Sequence, residues 1–194
     1  MTAYPTPAAV RTQSGAPSLT KMLSMARGGD FASLLEAFRV PLVSAALIAL
    51  VGAIGVWLRQ PWLFAGLAPT ILMVAAAPGH DSTSFRAIVV GHVVAIACAY
   101  LALLLLDGAS APNFIATRIT PFPRIWASAL ALAMLAIVQP QFRAFHPPAA
   151  ATALLVTMGA YKMTGKTPLA LTGAVIVVAI ASEVLHRMRP RRRG

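Results

Sequence analysis

Acidic residues are scarce in this chain. It has five Asp and Glu against 16 Lys and Arg, and charged residues of both signs make up 11% of its 194 residues. A soluble domain of this size carries about a quarter charged residues, so most of the chain is not built to face water. No two carboxylates sit together in an apolar segment, which excludes paired-carboxylate chemistry. Cysteine is nearly absent. Cys98 alone closes no internal disulfide and supplies no cysteine metal cluster; in its apolar run it reads as a small buried residue. The four histidines include no His-x-x-x-His pair, and no Ser/His/Asp set sits together at membrane depth. Neither an enzyme nor a cofactor is therefore expected.

Apolar residues are abundant, at 58%, and fall into six segments at roughly 41–58, 62–77, 87–106, 124–140, 147–161 and 168–187. The fold class they imply is all-α, a polytopic membrane helix bundle. About 20 residues of helix cross ~30 Å of hydrocarbon. The first, third and sixth segments approach that length and the fourth is somewhat short. The second and fifth are clearly short, at about 15 residues or ~22 Å. Residues 41–106 moved forward by 82 positions fall on 123–188 without a gap, with 14 identities in 66 positions. Pro41 meets Pro123, Thr70 meets Thr152 and Gly91 meets Gly173. The chain thus reads as an internal 3+3 repeat, with the short segments at equivalent places, which in secondary transporters points to the substrate site. If all six segments cross, the copies are inverted. If the short pair only dips into the bilayer, there are four spans and the copies are parallel. The inverted arrangement is expected, because it builds a midplane site more naturally.

The excess of Lys and Arg reports orientation rather than nucleic-acid binding. Both topologies divide these residues 11 to 5 in favour of the side holding the termini, which puts both termini in the cytoplasm. A bacterial inner membrane is the expected location, with an organelle membrane as the alternative. Residues 1–40 read as a cytoplasmic N-terminal tail. Its first 17 residues contain Pro5, Pro7 and Pro17 and lack the apolar core of a secretory signal, which suggests disorder, or alternatively a transit peptide. Phe31, Leu34, Leu35 and Phe38 then recur at helical spacing after Asp30. They form either a short amphipathic helix at the membrane surface or an extension of the first span. Residues 41–187 form the transmembrane domain. The basic tail 188–194, with Arg187 and Arg189 before it and within it, suits anionic lipid headgroups. Gly52, Gly55, Gly91 and Gly173 suit close helix packing. Six short helices make a small bundle, so a homo-oligomer is expected.

Candidate site residues cluster around the short segments. His146-Pro147-Pro148 precedes a run of good helix formers, and proline suits a first helical turn. A helix start at membrane depth would offer N–H groups and positive dipole charge to a small anion. Thr152, one turn in, could add a hydroxyl, as could its repeat partner Thr70. The alternative is a helix that starts at the membrane surface with His146 among the headgroups. Arg86, at the start of the third segment, is either a permanent cation for the site or an interfacial anchor. His92 lies six residues deeper and is either a pathway group able to carry a proton or a neutral packing histidine. Lys162 and Lys166 flank a turn without phosphate-loop glycine spacing; they attract anions to a mouth or anchor a loop. Glu183 and Arg187, four apart, suit a structural ion pair.

The run His146-Pro147-Pro148-Ala149-Ala150-Ala151-Thr152-Ala153 resembles the defining signature of the HPP family of integral membrane proteins. A second block of that family has Pro-Arg-Asn, two spacers and Gly-Gly-His. Arg86, Gly91 and His92 stand at those spacings, while Phe85, Ala87 and Val90 depart from the pattern. Residues 79–84 lack the family's usual Ser-Pro-Leu-Ala-Gln. The resemblance covers about 41–187. It implies a compact bundle of membrane helices and, because some members are linked to nitrite transport, a small anion substrate with nitrite suspected. The expected function is a transporter or channel for a small inorganic anion. The alternative is a non-transporting membrane scaffold or assembly protein of the same fold.

Overall fold

The computed structural model describes residues 31–162 and 164–188. The N-terminal tail up to residue 30 and the basic tail from 189 lie outside the described residues. Every described element is helical. α1 (Phe31–Trp57) continues through Pro41, α2 (Leu67–Ala76) is short, and a 3-10 turn (Asp81–Thr83) leads into α3 (Phe85–Leu105). A brief α4 (Phe114–Thr117) precedes α5 (Phe122–Gln141), the short α6 (Ala149–Thr157) and α7 (Lys166–Met188).

Four helices are long and apolar enough to cross a membrane: α1 over Phe38–Trp57, α3, α5 and α7. Phe122 and Pro123 at the start, where proline suits a helix's first turn, and Gln141 at the end extend the fourth segment to a full 20 residues. The second segment shortens instead. Residues 62–66 are not helical and α2 begins only at Leu67. Segment 31–39 is helical and continuous with the first span.

α3 is the most buried of the long helices and packs against α5, α6 and α7. Its sequence explains this position. Ala87, Gly91, Ala95 and Ala99 recur every four residues and are all buried, a stripe of small side chains that lets neighbouring helices close in. Lipid tails are as apolar as leucine, so this contact is held by van der Waals packing rather than by the hydrophobic effect. Ala127 and Ala131 on α5, Ala149 and Ala153 on α6, and Ala174 on α7 are likewise buried.

Contacts fix the helix directions. Ser182 Oγ donates to the Thr83 carbonyl at 2.6 Å, joining the end of α7 to the start of α3. Tyr100 Oη donates to the Thr164 carbonyl at 3.4 Å, joining the end of α3 to the start of α7. Arg86 donates to the Phe142 carbonyl at 2.9 Å, and Gly108 lies against Leu103 and Ala127, so α5 is also antiparallel to α3. Trp62, just past α1, lies against Gly55 and against Gly173 near the start of α7. Leu47 and Leu50 share an apolar groove with Val177–Leu185. From Pro41 onward α1 is therefore antiparallel to α7 and parallel to α3. The connecting segments 58–84 and 142–165 must each carry the chain back along the bundle. The end that carries Met188 is called the terminal face below, and the opposite end the far face.

Gly91 is where this packing tolerates least. A Cβ there would fall 2.7 Å from His146 Cβ and 3.3 Å from Gln139 Nε2. Gly91→Ala should destabilise the protein by about 1–3 kcal/mol, read as a lower unfolding temperature in detergent. Gly165→Ala, with nothing within 4 Å, should leave that temperature unchanged. Equal behaviour of the two variants would contradict the tight α3–His146 contact.

Candidate functional site

Near their starts the two short helices both reach one residue of α3 through side chains. Leu67 and Ala149, their first residues, are wholly buried. Thr70 and Thr152 are the fourth residues of α2 and α6, and both hydroxyls reach His92 on α3. Thr70 Oγ1 lies 3.0 Å from His92 Nε2 and Thr152 Oγ1 lies 2.9 Å from His92 Nδ1. Thr70 Oγ1 also lies 3.0 Å from Nε2 of His146, whose Nδ1 is 2.6 Å from the Ser82 carbonyl. The two imidazole centroids are 5.2 Å apart. All four side chains are at most 1% exposed.

The chemistry of the partners orders this chain. A carbonyl only accepts, so His146 Nδ1 carries hydrogen and donates to Ser82. A neutral imidazole then has an acceptor at Nε2, so the Thr70 hydroxyl donates to His146. Thr70 Oγ1 in turn accepts from His92 Nε2–H, which leaves His92 Nδ1 to accept from the Thr152 hydroxyl. One direction runs through the whole series, Thr152 to His92 to Thr70 to His146 to the Ser82 carbonyl. No carboxylate or cation is among these partners.

The chain beside His146 is not helical, so its backbone groups need partners that lipid does not supply. Gln139, 2% exposed near the end of α5, provides them. Its Nε2 donates to the carbonyls of Gly91 and His146 at 3.2 and 3.3 Å, and its Oε1 accepts from His146 N at 3.3 Å. The first amides of α6 are also committed. Ala149, Ala150 and Ala151 donate to the carbonyls of His146, Pro147 and Pro148, and Leu67 and Ala68 of α2 donate to Phe64 and Ala65. The N–H cradle expected at the helix start is therefore closed by tight turns in this conformation. Hydroxyls and imidazoles are what the site presents.

Of the residues picked from the sequence, the structure brings together Thr70, His92, His146 and Thr152. Pro147 is exposed and Pro148 half-buried, and together they form the turn into α6. Arg86 is exposed and bonds Phe142, and Lys162 is exposed on the far face; neither reaches the histidines. Glu183 pairs with Arg187 at 2.8 Å. Sequence reasoning missed Gln139, although a lone Gln inside an apolar segment is itself a signal. It also missed Arg124, only 5% exposed, whose guanidinium donates to the carbonyls of Ala111, Pro112 and Thr157 and so caps the end of α6.

Long apolar helices around a buried polar centre, with two short helices meeting on it, define a multi-pass α-helical membrane protein with a built polar site. The chain belongs to the HPP family: the family model described as HPP, transmembrane region, matches residues 30–194. No curated protein and no solved structure matches it.

Thr70 links the two histidines, so its hydroxyl should matter more than its volume. Thr70→Val leaves a buried N–H on His92 and a buried lone pair on His146 without partners. The expected cost is about 1–3 kcal/mol, seen as a lower unfolding temperature in detergent. Thr70→Ser should retain most of the native stability. A Val variant as stable as the Ser variant would contradict the bridging role.

Proposed function

We propose that the protein carries a small monovalent anion across the membrane, and that nitrite, suggested by family kinship, is the first substrate to test. One observation carries the reading: the starts of two short helices, each with a threonine at its fourth position, meet on the two ring nitrogens of one buried histidine. Intramembrane ionisable groups facing a bundle interior mark pathways.

The architecture supports the same reading. Segments 58–84 and 142–165 each return along the bundle, which supports six crossings over four. α2 begins at Leu67 and α6 at Ala149, 82 residues apart, the offset of the sequence repeat. α1 and α5, which correspond at that offset, run in opposite directions. An inverted 3+3 repeat would account for all three and would put the site at the interface of the copies, as in many secondary transporters. The 11-to-5 distribution of Lys and Arg supports a cytoplasmic terminal face. Contact of the basic tail with anionic headgroups and assembly into a homo-oligomer belong to the same proposal.

The site suits a proton-coupled anion. It contains no fixed charge, so the positive charge for an anion comes from a proton on His92 or His146, with Thr70 and Thr152 as hydroxyl donors. Anion and proton then move together, and neither leaves a lone buried charge behind. The scaffold alternative has one observation in its favour: all four side chains are shut away from solvent. On the transport reading this is the occluded state.

Nitrite uptake into proteoliposomes separates the two readings. The native protein should give saturable uptake above protein-free vesicles, and His146→Ala should lower it roughly tenfold or more, the scale of one lost buried polar network. Native uptake no greater than in protein-free vesicles, with the protein folded and inserted, would contradict nitrite transport. Undiminished uptake by His146→Ala would remove this site from the path.

A further inference from the structure

The polar chain ends in contact with the terminal face. Ser82, whose carbonyl closes the chain, bonds through its hydroxyl to Nδ1 of the exposed His80 at 2.7 Å. The far end of the chain, at Thr152, has no such link to water. Between it and the far face lie three packed residues. Gly66 abuts Thr152 so closely that a Cβ there would collide with Thr152 Oγ1, and the same Cβ would lie 3.1 Å from Phe64 Cε2. The Phe64 ring, 5% exposed, meets Tyr161 edge-on, with centroids 6.2 Å apart and planes at 89°. Tyr161 then forms one wall of a cavity of about 110 Å³ with Gln60, Lys166 and Thr167. That volume holds a small hydrated anion, at ~30 Å³ per water. The polar groups on its wall are an ammonium, a carboxamide, a hydroxyl and a phenol. The Thr167 hydroxyl already donates to the Lys162 carbonyl at 2.7 Å; the other three can donate to an anion, and none of the four is a carboxylate. This is the chemistry that receives an anion.

We propose that this cavity is the far-face vestibule of the pathway and that the Phe64–Tyr161 pair is the gate between it and the Thr152–His92 site. The proposal rests on the transport reading above. Both rings stand on non-helical segments, before α2 and after α6, so they can turn aside without breaking a helical ladder. The Phe64 segment also carries Trp62, 8% exposed, whose Nε1 is buried without a hydrogen-bond partner. Such a group costs free energy while it stays unpaired, which biases this segment toward a second position in which water or the anion reaches it. With the gate open, the route runs from Lys166 through Gly66 and Thr152 to His92, and onward by Thr70 and His146 to His80.

Cysteine accessibility tests the gate without relying on flux. In a Cys98→Ala background, Thr152→Cys and Ala170→Cys are exposed to a charged, membrane-impermeant thiol reagent from the far face. Ala170→Cys, on the vestibule wall, should be labelled with the rings intact, and nitrite should slow that labelling. Lys166→Gln should weaken the protection by nitrite. Thr152→Cys should be unreactive with the rings intact and react at least tenfold faster, about 1.4 kcal/mol in accessibility, once Tyr161→Ala or Phe64→Ala is added. If Thr152→Cys stays unreactive in both ring variants while Ala170→Cys reacts and the proteins run as single species, the gate is wrong. Equal reactivity with and without the rings also overturns it. If the rings control labelling but no nitrite crosses, the gate stands and the anion assignment falls. His146-dependent nitrite uptake without ring-controlled labelling leaves transport standing and removes the gate.

Discussion

The hydrogen bond from His146 Nδ1–H to the Ser82 carbonyl sets the rest of the interior. A carbonyl cannot reverse its role, so this contact fixes the hydrogen on His146, then the hydroxyl of Thr70, the hydrogen on His92 and the hydroxyl of Thr152. In water such a chain would be one of many equivalent arrangements. In a bilayer there is no competing partner, and a mispaired imidazole would have nowhere to turn. The same constraint explains Gln139, which bonds three backbone groups beside the non-helical turn at His146. It also explains why Arg124 takes carbonyls at the end of α6 as partners.

These pairings decide what the site can and cannot do. Held neutral and fully bonded, it has nothing with which to hold an anion. Admitting a proton changes that, because a protonated ring donates from both nitrogens and the one-way order can no longer hold throughout. A substrate oxygen is the natural acceptor for the donor left over. On the proposed transport reading, an interior shut when unprotonated and receptive when protonated would couple the movement of a proton and an anion without a permanently buried charge.

Much of this was legible in the sequence, for identifiable reasons. The four long helices follow the long apolar segments, because length and hydropathy translate directly into spans. Thr70, His92, His146 and Thr152 stood out because polar groups in apolar runs are few. Side-chain direction was harder to read. Arg86 and Lys162 carry the right charge near the short segments, but Arg86 turns outward to the Phe142 carbonyl and Lys162 sits exposed on a non-helical segment past α6, and a residue list does not contain those directions. The Ser82 carbonyl was invisible because every residue has one. The free amides expected at the start of α6 are taken up by tight turns at His146, Pro147 and Pro148. The pattern of two prolines fits that closed turn as well as it fits an open helix end.

The most direct test of the central claim is the hydrogen position on each ring, read by solid-state nitrogen NMR on histidine-labelled protein in lipid bilayers, with His80 and His186 replaced to leave two signals. The account predicts His146 as the Nδ1–H form and His92 as the Nε2–H form. Hydrogen on Nε2 of His146 would contradict the bond to Ser82 and, with it, the order of the whole chain.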